Sequence, residues 1–124
     1  MSNAVCVRRA NVEAFAFGDV QIWDYKVSKS LSSSIALVQV KPGAAHSQAR
    51  SMRSEKYYYV LSGMVEFEVG EISYWVTQGD LLIIPRGEWF NYRNSGREMA
   101  TMILVHTPPF RLEDEEFAGE RKGK

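Results

Sequence analysis

One cysteine, two histidines, four prolines and no surplus of either charge are the first features of this 124-residue chain. Cys6 alone cannot close an internal disulfide and has no second thiolate for a metal cluster. Fifteen basic and fifteen acidic residues cancel, so no net field draws the chain to nucleic acid or an anionic membrane. No apolar run approaches the roughly 20 residues that cross a bilayer. Arg8 and Arg9 interrupt the stretch from Met1 before a secretory apolar core can form. Repeats, heptads and long linkers are lacking as well. What remains is an expectation of one cytoplasmic domain over residues 1–124, with partners other than nucleic acid or membrane.

The apolar fraction of 45% and charged fraction of 24% are ordinary for a soluble globular chain of this length. Short stretches rich in β-branched and aromatic residues alternate with Gly, Pro, Asn and Ser. They predict strands at Val20–Tyr25, Ser34–Val40, Lys56–Leu61, Val65–Val69, Ile72–Val76, Leu81–Ile84 and Met99–Val105. Turn signals separate them, among them Pro42-Gly43, Ser62-Gly63, Gly79-Asp80 and Asn94-Ser95-Gly96. Many short strands at near-regular spacing predict an all-β sandwich or small barrel. The barrel is expected over about residues 12–110, with a tail over 111–124 whose distal end, Arg121-Lys122-Gly123-Lys124, reads as a frayed terminus.

Two segments carry a family resemblance. The run Gly79-Asp80-Leu81-Leu82-Ile83-Ile84-Pro85-Arg86-Gly87-Glu88-Trp89-Phe90-Asn91-Tyr92-Arg93-Asn94 resembles the second cupin motif, with Phe90 where that motif has its histidine. The first motif begins at Pro42-Gly43 and ends at Tyr59-Val60-Leu61-Ser62-Gly63. Its usual glutamate position holds Lys56, and its two usual histidine positions hold Ala49 and Ser51. The resemblance covers about Ser34 to Phe110 and implies a single cupin, the small double-stranded β-helix or jelly-roll barrel.

Metal-dependent cupin chemistry is not expected. A catalytic first-row ion needs about three or four N or O ligands converging from neighbouring strands. The motif positions offer a methyl, a hydroxyl, an ammonium and a phenyl ring instead, and an ammonium repels a cation. Alternation turns Glu55 to the opposite face from Lys56, and His46 alone cannot hold a catalytic ion. Neither a metal nor another cofactor is called for.

The same period of two gathers an inward set: Ser51, Lys56, Tyr58, Phe90 and Tyr92, with His46 and Arg53 expected on the connection above them. The strand from Val20 adds either Trp23 or its polar neighbours. Such a cup, walled by aromatic rings with one imidazole near its rim, suits a ring-bearing small molecule. Each residue also has an ordinary reading: His46 as a surface-loop residue, Lys56 as a snorkelling strand lysine, Arg53 as a solvated charge, and the tyrosines and tryptophans as sheet packing. His106 is the other histidine to weigh. Lys56 also reads as an anchor for a phosphate or as an amine for imine chemistry.

Within the cupins, His46-Ser47-Gln48, Arg53-Ser54 and Tyr58-Tyr59-Val60-Leu61-Ser62-Gly63 resemble the metal-free nucleoside 5′-aldehyde dehydratases of pacidamycin antibiotic biosynthesis. The likeness implies a lyase that removes water to give an unsaturated 3′-deoxy sugar. It places the catalytic histidine and two tyrosines on His46, Tyr58 and Tyr92, and a pocket glutamate on Glu115. The histidine match needs one deleted residue before Arg53, and the lysine expected just before Gly18 is replaced by Ala16-Phe17. An aldehyde acidifies the adjacent C–H, so a base with pKa near ~6.5 can remove that proton without a metal. Tyr58, Tyr92 or Lys56 would then donate to the enolate oxygen. Epimerisation or ketone isomerisation of a sugar shares that first step. A non-catalytic class is also open, because Tyr58-Tyr59-Val60 through Pro85-Arg86-Gly87 to Asn94 is similar to the cupin dimerisation domains of centromere proteins. A metabolite-sensing cupin is the third reading. The expected partner is a small nucleoside or sugar, and the chain is expected to be a monomer or homodimer.

Overall fold

A computed structural model describes residues 3–27 and 31–118. Eleven strands form in chain order: β1 (Ala14–Phe17), β2 (Val20–Asp24), β3 (Ser34–Val40), β4 (Ala45–Ser51), β5 (Glu55–Ser62), β6 (Met64–Val69), β7 (Ile72–Thr77), β8 (Leu81–Ile84), β9 (Phe90–Arg93), β10 (Ala100–Thr107) and β11 (Glu115–Phe117). They make two antiparallel sheets, a six-stranded one ordered β1-β2-β3-β10-β5-β8 and a five-stranded one ordered β11-β4-β9-β6-β7. This is the jelly-roll barrel that the cupin resemblance implies, and the strand spacing allows it as a small barrel. No helix among the described residues is long and apolar enough to cross a membrane.

Seven strands fall where composition places them, and four do not. β4 is poor in β-formers and carries a bulge between His46 and Ala49, so alternation read straight along the sequence fails there. The bulge lets His46, Ala49 and Ser51 all face inward. His46 therefore sits within a strand and not on a connection above the cup. The segment read as a tail supplies β11, which pairs Glu115 with Ser51 and Phe117 with Ala49. The basic end at Arg121–Lys124 lies outside the described residues.

Register orders the interior into rows. In the larger sheet the inward rows run from Val20, Val40 and Ala100, through Ile22, Val38, Met102 and Val60, to Asp24, Ala36, Leu104 and Tyr58, and finally to His106 and Lys56. The first two rows are aliphatic and buried, and they supply most of the hydrophobic stabilisation. Along these rows of the larger sheet, polar side chains enter only in the last two, at one end of the barrel. The smaller sheet faces that end with Phe67, Tyr92 and His46 in one row and Val69, Phe90 and Ala49 in the next. Beneath it, Asn94 locks the β9–β10 connection, donating to the Val40 and Glu98 carbonyls at 2.9 and 2.7 Å while its Oδ1 accepts from Gly96 N. The β5–β6 turn needs Gly63, whose φ is +82°, because a Cβ there would lie 2.8 Å from Ala100 Cα and the Met99 carbonyl.

Candidate active site

The polar end of the barrel holds a small cavity lined by His46, Lys56, Tyr58, Tyr92, His106 and Glu115, with Asp24, Ile22, Ala36 and Leu104 on its floor and walls. Phe15, Phe17 and Phe110 bound it on the remaining side. The room left for the centre of a water molecule is about 30 Å³, enough for one or two waters or a single substituent.

His46 is boxed by rings. Phe17 meets it edge-on at 5.0 Å, Phe90 stacks at 5.5 Å and Tyr92 lies at 5.0 Å. Its Nδ1 is 2.7 Å from the Ser47 carbonyl. A carbonyl only accepts, so Nδ1 carries the proton and Nε2 is left with the lone pair. Burial lowers its pKa to about 4, against the contribution of the Ser47 carbonyl and with Lys56 adding in the same sense. The imidazole is neutral near pH 7, in the form that can take a proton.

Tyr58 and Tyr92 face each other from opposite sheets, their rings 5.6 Å apart at 68°. Burial raises both phenols above their ordinary value, and a hydrogen bond between the two hydroxyls raises Tyr58 further while lowering Tyr92, so both stay protonated.

Lys56 lies on β5 opposite His106 on β10. Its Nζ is 2.9 Å from His106 Nε2 and donates to Glu115 Oε1 at 3.0 Å. The Lys56 and Glu115 side chains are 5% and 2% exposed, so this is a buried ion pair and not a snorkelling lysine. Burial lowers the lysine pKa and Glu115 opposes that shift. Burial first, then Lys56, lowers His106 to about 3, so its Nε2 accepts from the ammonium. Burial raises Asp24, with Lys26 opposing.

Four expected members do not line the cavity. Trp23 has the opposite parity to the buried Val20 and Ile22, and its ring lies on the outer side under the Arg9 guanidinium at 4.5 Å. The polar neighbour Asp24 takes the inward place. Arg53 is half-buried and tied to the barrel rim, donating to the Pro109 carbonyl at 3.2 Å with Asp114 3.8 Å away. Ser51 is buried, but its Oγ accepts from the backbone N–H groups of Arg53 and Ser54 and caps that turn. Phe90 packs between His46 and Lys56 Nζ, about equally far from each. Trp75 is 55% exposed and not a packing residue.

Phe17 and Phe110 join the site without having been placed there from the sequence, while His106 was weighed only as the second histidine and Asp24 only as a polar neighbour of Trp23. For His106 and Asp24 the signal existed: each has the parity of its strand's buried aliphatics, Met102 and Leu104 in one case and Val20 and Ile22 in the other.

The residues at the usual cupin ligand positions do not fit a metal. Ala49 and Phe90 have no donor atom, the Ser51 hydroxyl serves two backbone amides, and Lys56 brings a positive charge held by Glu115. No cluster of three or more His, Cys, Asp or Glu side chains able to hold an ion occurs among the described residues.

A jelly-roll barrel with an amphipathic cup at one end defines a small single-barrel protein of the double-stranded β-helix class. Residues 36–106 match the cupin domain model, and the chain belongs to the cupin family. No curated protein sequence matches it. Among solved structures it is similar to Pac13, described as a unique nucleoside dehydratase, at 22% identity over 94% of this chain and 92% of that one, with a TM-score of 0.81. Streptomyces PAC13 variants solved with uridine, carrying Tyr-to-Phe or His-to-Gln replacements, match over 94–95% of this chain at TM-scores of 0.78–0.81. The cupin domain of Schizosaccharomyces pombe Cnp3 matches at 18% identity, over 80% of this chain and 70% of that one, with a TM-score of 0.70. A predicted oxalate decarboxylase from Thermotoga maritima matches at 17% identity over 84% of this chain and 99% of that one, with a TM-score of 0.72.

Proposed function

We propose that this chain is a metal-independent dehydratase acting on a nucleoside or sugar aldehyde, with His46 as the base. The observation that carries the reading is the fixed tautomer of His46: a neutral imidazole, buried among rings, whose Nε2 is the lone-pair nitrogen, in a cavity shared with two protonated phenols. Aldehyde acidification lets such a base remove the adjacent C–H, and Tyr58 and Tyr92 are the donors for the enolate oxygen. Withdrawal of water strengthens donation to the enolate oxygen, while the same burial lowers the basicity of His46.

The likeness to Pac13 supports the same residues. The two tyrosines replaced in the uridine structures have the same separation in their chain as Tyr58 and Tyr92 have here. The replaced histidine lies one residue further from the first tyrosine than His46 does. A nucleoside needs far more room than the cavity offers, so entry requires Phe17 to leave its place over His46. Its strand, β1, is an edge strand paired only with β2, where opening costs the least pairing.

The reading is tested by turnover of uridine 5′-aldehyde by wild type and His46→Ala. Loss of water that falls at least 100-fold in the variant, while uridine affinity changes less than about fivefold, is the expected outcome. Turnover in the variant within about threefold of wild type removes His46 from the mechanism. Proton exchange without water loss makes the protein an isomerase-type cupin, and binding without either makes it a binding module.

A further inference from the structure

Among the described buried side-chain nitrogen and oxygen atoms, Glu115 Oε2 alone has no hydrogen-bond partner. Its side chain is 2% exposed and lines the cavity. Oε1 is already taken by Lys56 Nζ at 3.0 Å. A buried acceptor left unsatisfied costs about 1–3 kcal/mol, more when charged, and no protein group reaches this one, so its partner must come from within the cavity. The ammonium has three hydrogens. One goes to Glu115 and one to His106 Nε2, which leaves one donor beside one empty acceptor. A donor and an acceptor side by side match a hydroxyl group, which both gives and takes a hydrogen bond. The adjoining space of about 30 Å³ admits a hydroxyl but no ring.

We infer that Lys56 and Glu115 form the subsite for the hydroxyl that departs, with Lys56 as the acid that protonates it. The inference rests on the dehydratase reading above. In a ribose 5′-aldehyde the hydroxyl β to the carbonyl is the 3′ one. Glu115 Oε2 accepts its hydrogen and the third Lys56 hydrogen bonds its oxygen. His46 takes the proton from the carbon next to the aldehyde, and the C–H pair becomes the enolate. Collapse of the enolate forms the C=C bond and breaks the C–O bond, and the oxygen takes a proton from Lys56 and leaves as water. The protein is left with an imidazolium and a neutral amine. Loss of a proton from His46 to solvent and uptake of one by Lys56 restore it, with no change of oxidation state in the protein. His106 is a positioning residue here, since its Nε2 holds the ammonium against Glu115.

The test begins with calorimetric titration of the wild-type protein with uridine and with 3′-deoxyuridine. A hydrogen bond to a charged group predicts at least tenfold tighter binding of uridine. Glu115→Gln and Lys56→Met should each bring that ratio within threefold. With uridine 5′-aldehyde in D₂O, Lys56→Met should still exchange the proton next to the aldehyde while losing water at least 100-fold more slowly. His46→Ala should lose both. Equal wild-type binding of the two nucleosides, or water loss by Lys56→Met within threefold of wild type, overturns the subsite and leaves the dehydratase reading standing. A wild-type protein that binds neither nucleoside and dehydrates nothing overturns both.

Discussion

Replacing Lys56 with Met should destabilise the fold by about 3–5 kcal/mol, because it strands the Glu115 carboxylate in a place where its side chain is 2% exposed. Glu115→Leu should cost a similar amount by leaving the ammonium unpaired, apart from His106. The double variant Lys56→Met/Glu115→Leu replaces both charges by apolar groups of similar size. It should return to within about 1 kcal/mol of wild type or exceed it. For a chain of this length each kcal/mol is worth roughly 3–5 °C of Tm, so each single variant should melt about 9–25 °C lower. Urea unfolding at pH 7 reads the same cycle through the midpoint at constant m. Single variants within about 1 kcal/mol of wild type, or a double variant equal to the sum of the singles, would refute the buried pair.

The pH dependence follows from the two histidines. Their folded pKa values, about 4 for His46 and about 3 for His106, lie below the unfolded 6.5. The unfolded chain therefore binds more protons below 6.5, and stability present above that pH is lost as pH falls toward 4 and then 3. The slope from the pair is at most about 2.7 kcal/mol per pH unit. Unfolding midpoints measured from pH 7 to 4 should show it, and His106→Gln should flatten it; a flat wild-type profile contradicts the burial of both rings. Asn94→Ala removes three hydrogen bonds from a side chain buried beneath the site, and should cost about 2–4 kcal/mol in urea unfolding.

The barrel was legible in the sequence because its evidence is periodic and local. Short β-branched runs, turn glycines and the spacing from Gly79 to Asn94 lie within a few residues of one another, and alternation correctly turns Lys56, Tyr58 and Val60 inward. The site was legible only where alternation is unbroken. In β4 the bulge between His46 and Ala49 hides a strand that carries little β-forming character. Trp23 drew attention as an aromatic, yet parity gives the inward place to Asp24. The partnership of Lys56 with Glu115 spans almost half the chain and depends on β11 pairing back on β4. No local pattern encodes such a contact, so alternation turns Lys56 inward but does not reveal that Glu115 pairs with it.

Whether this cup dehydrates a nucleoside aldehyde is decided by incubating the chelator-treated protein with uridine 5′-aldehyde and weighing the product. We expect a mass lower by one water, formed at a rate that added chelator does not change. A product of unchanged mass, or water loss that stops when the chelator is present, would contradict the reading of this site as a metal-free, histidine-driven lyase.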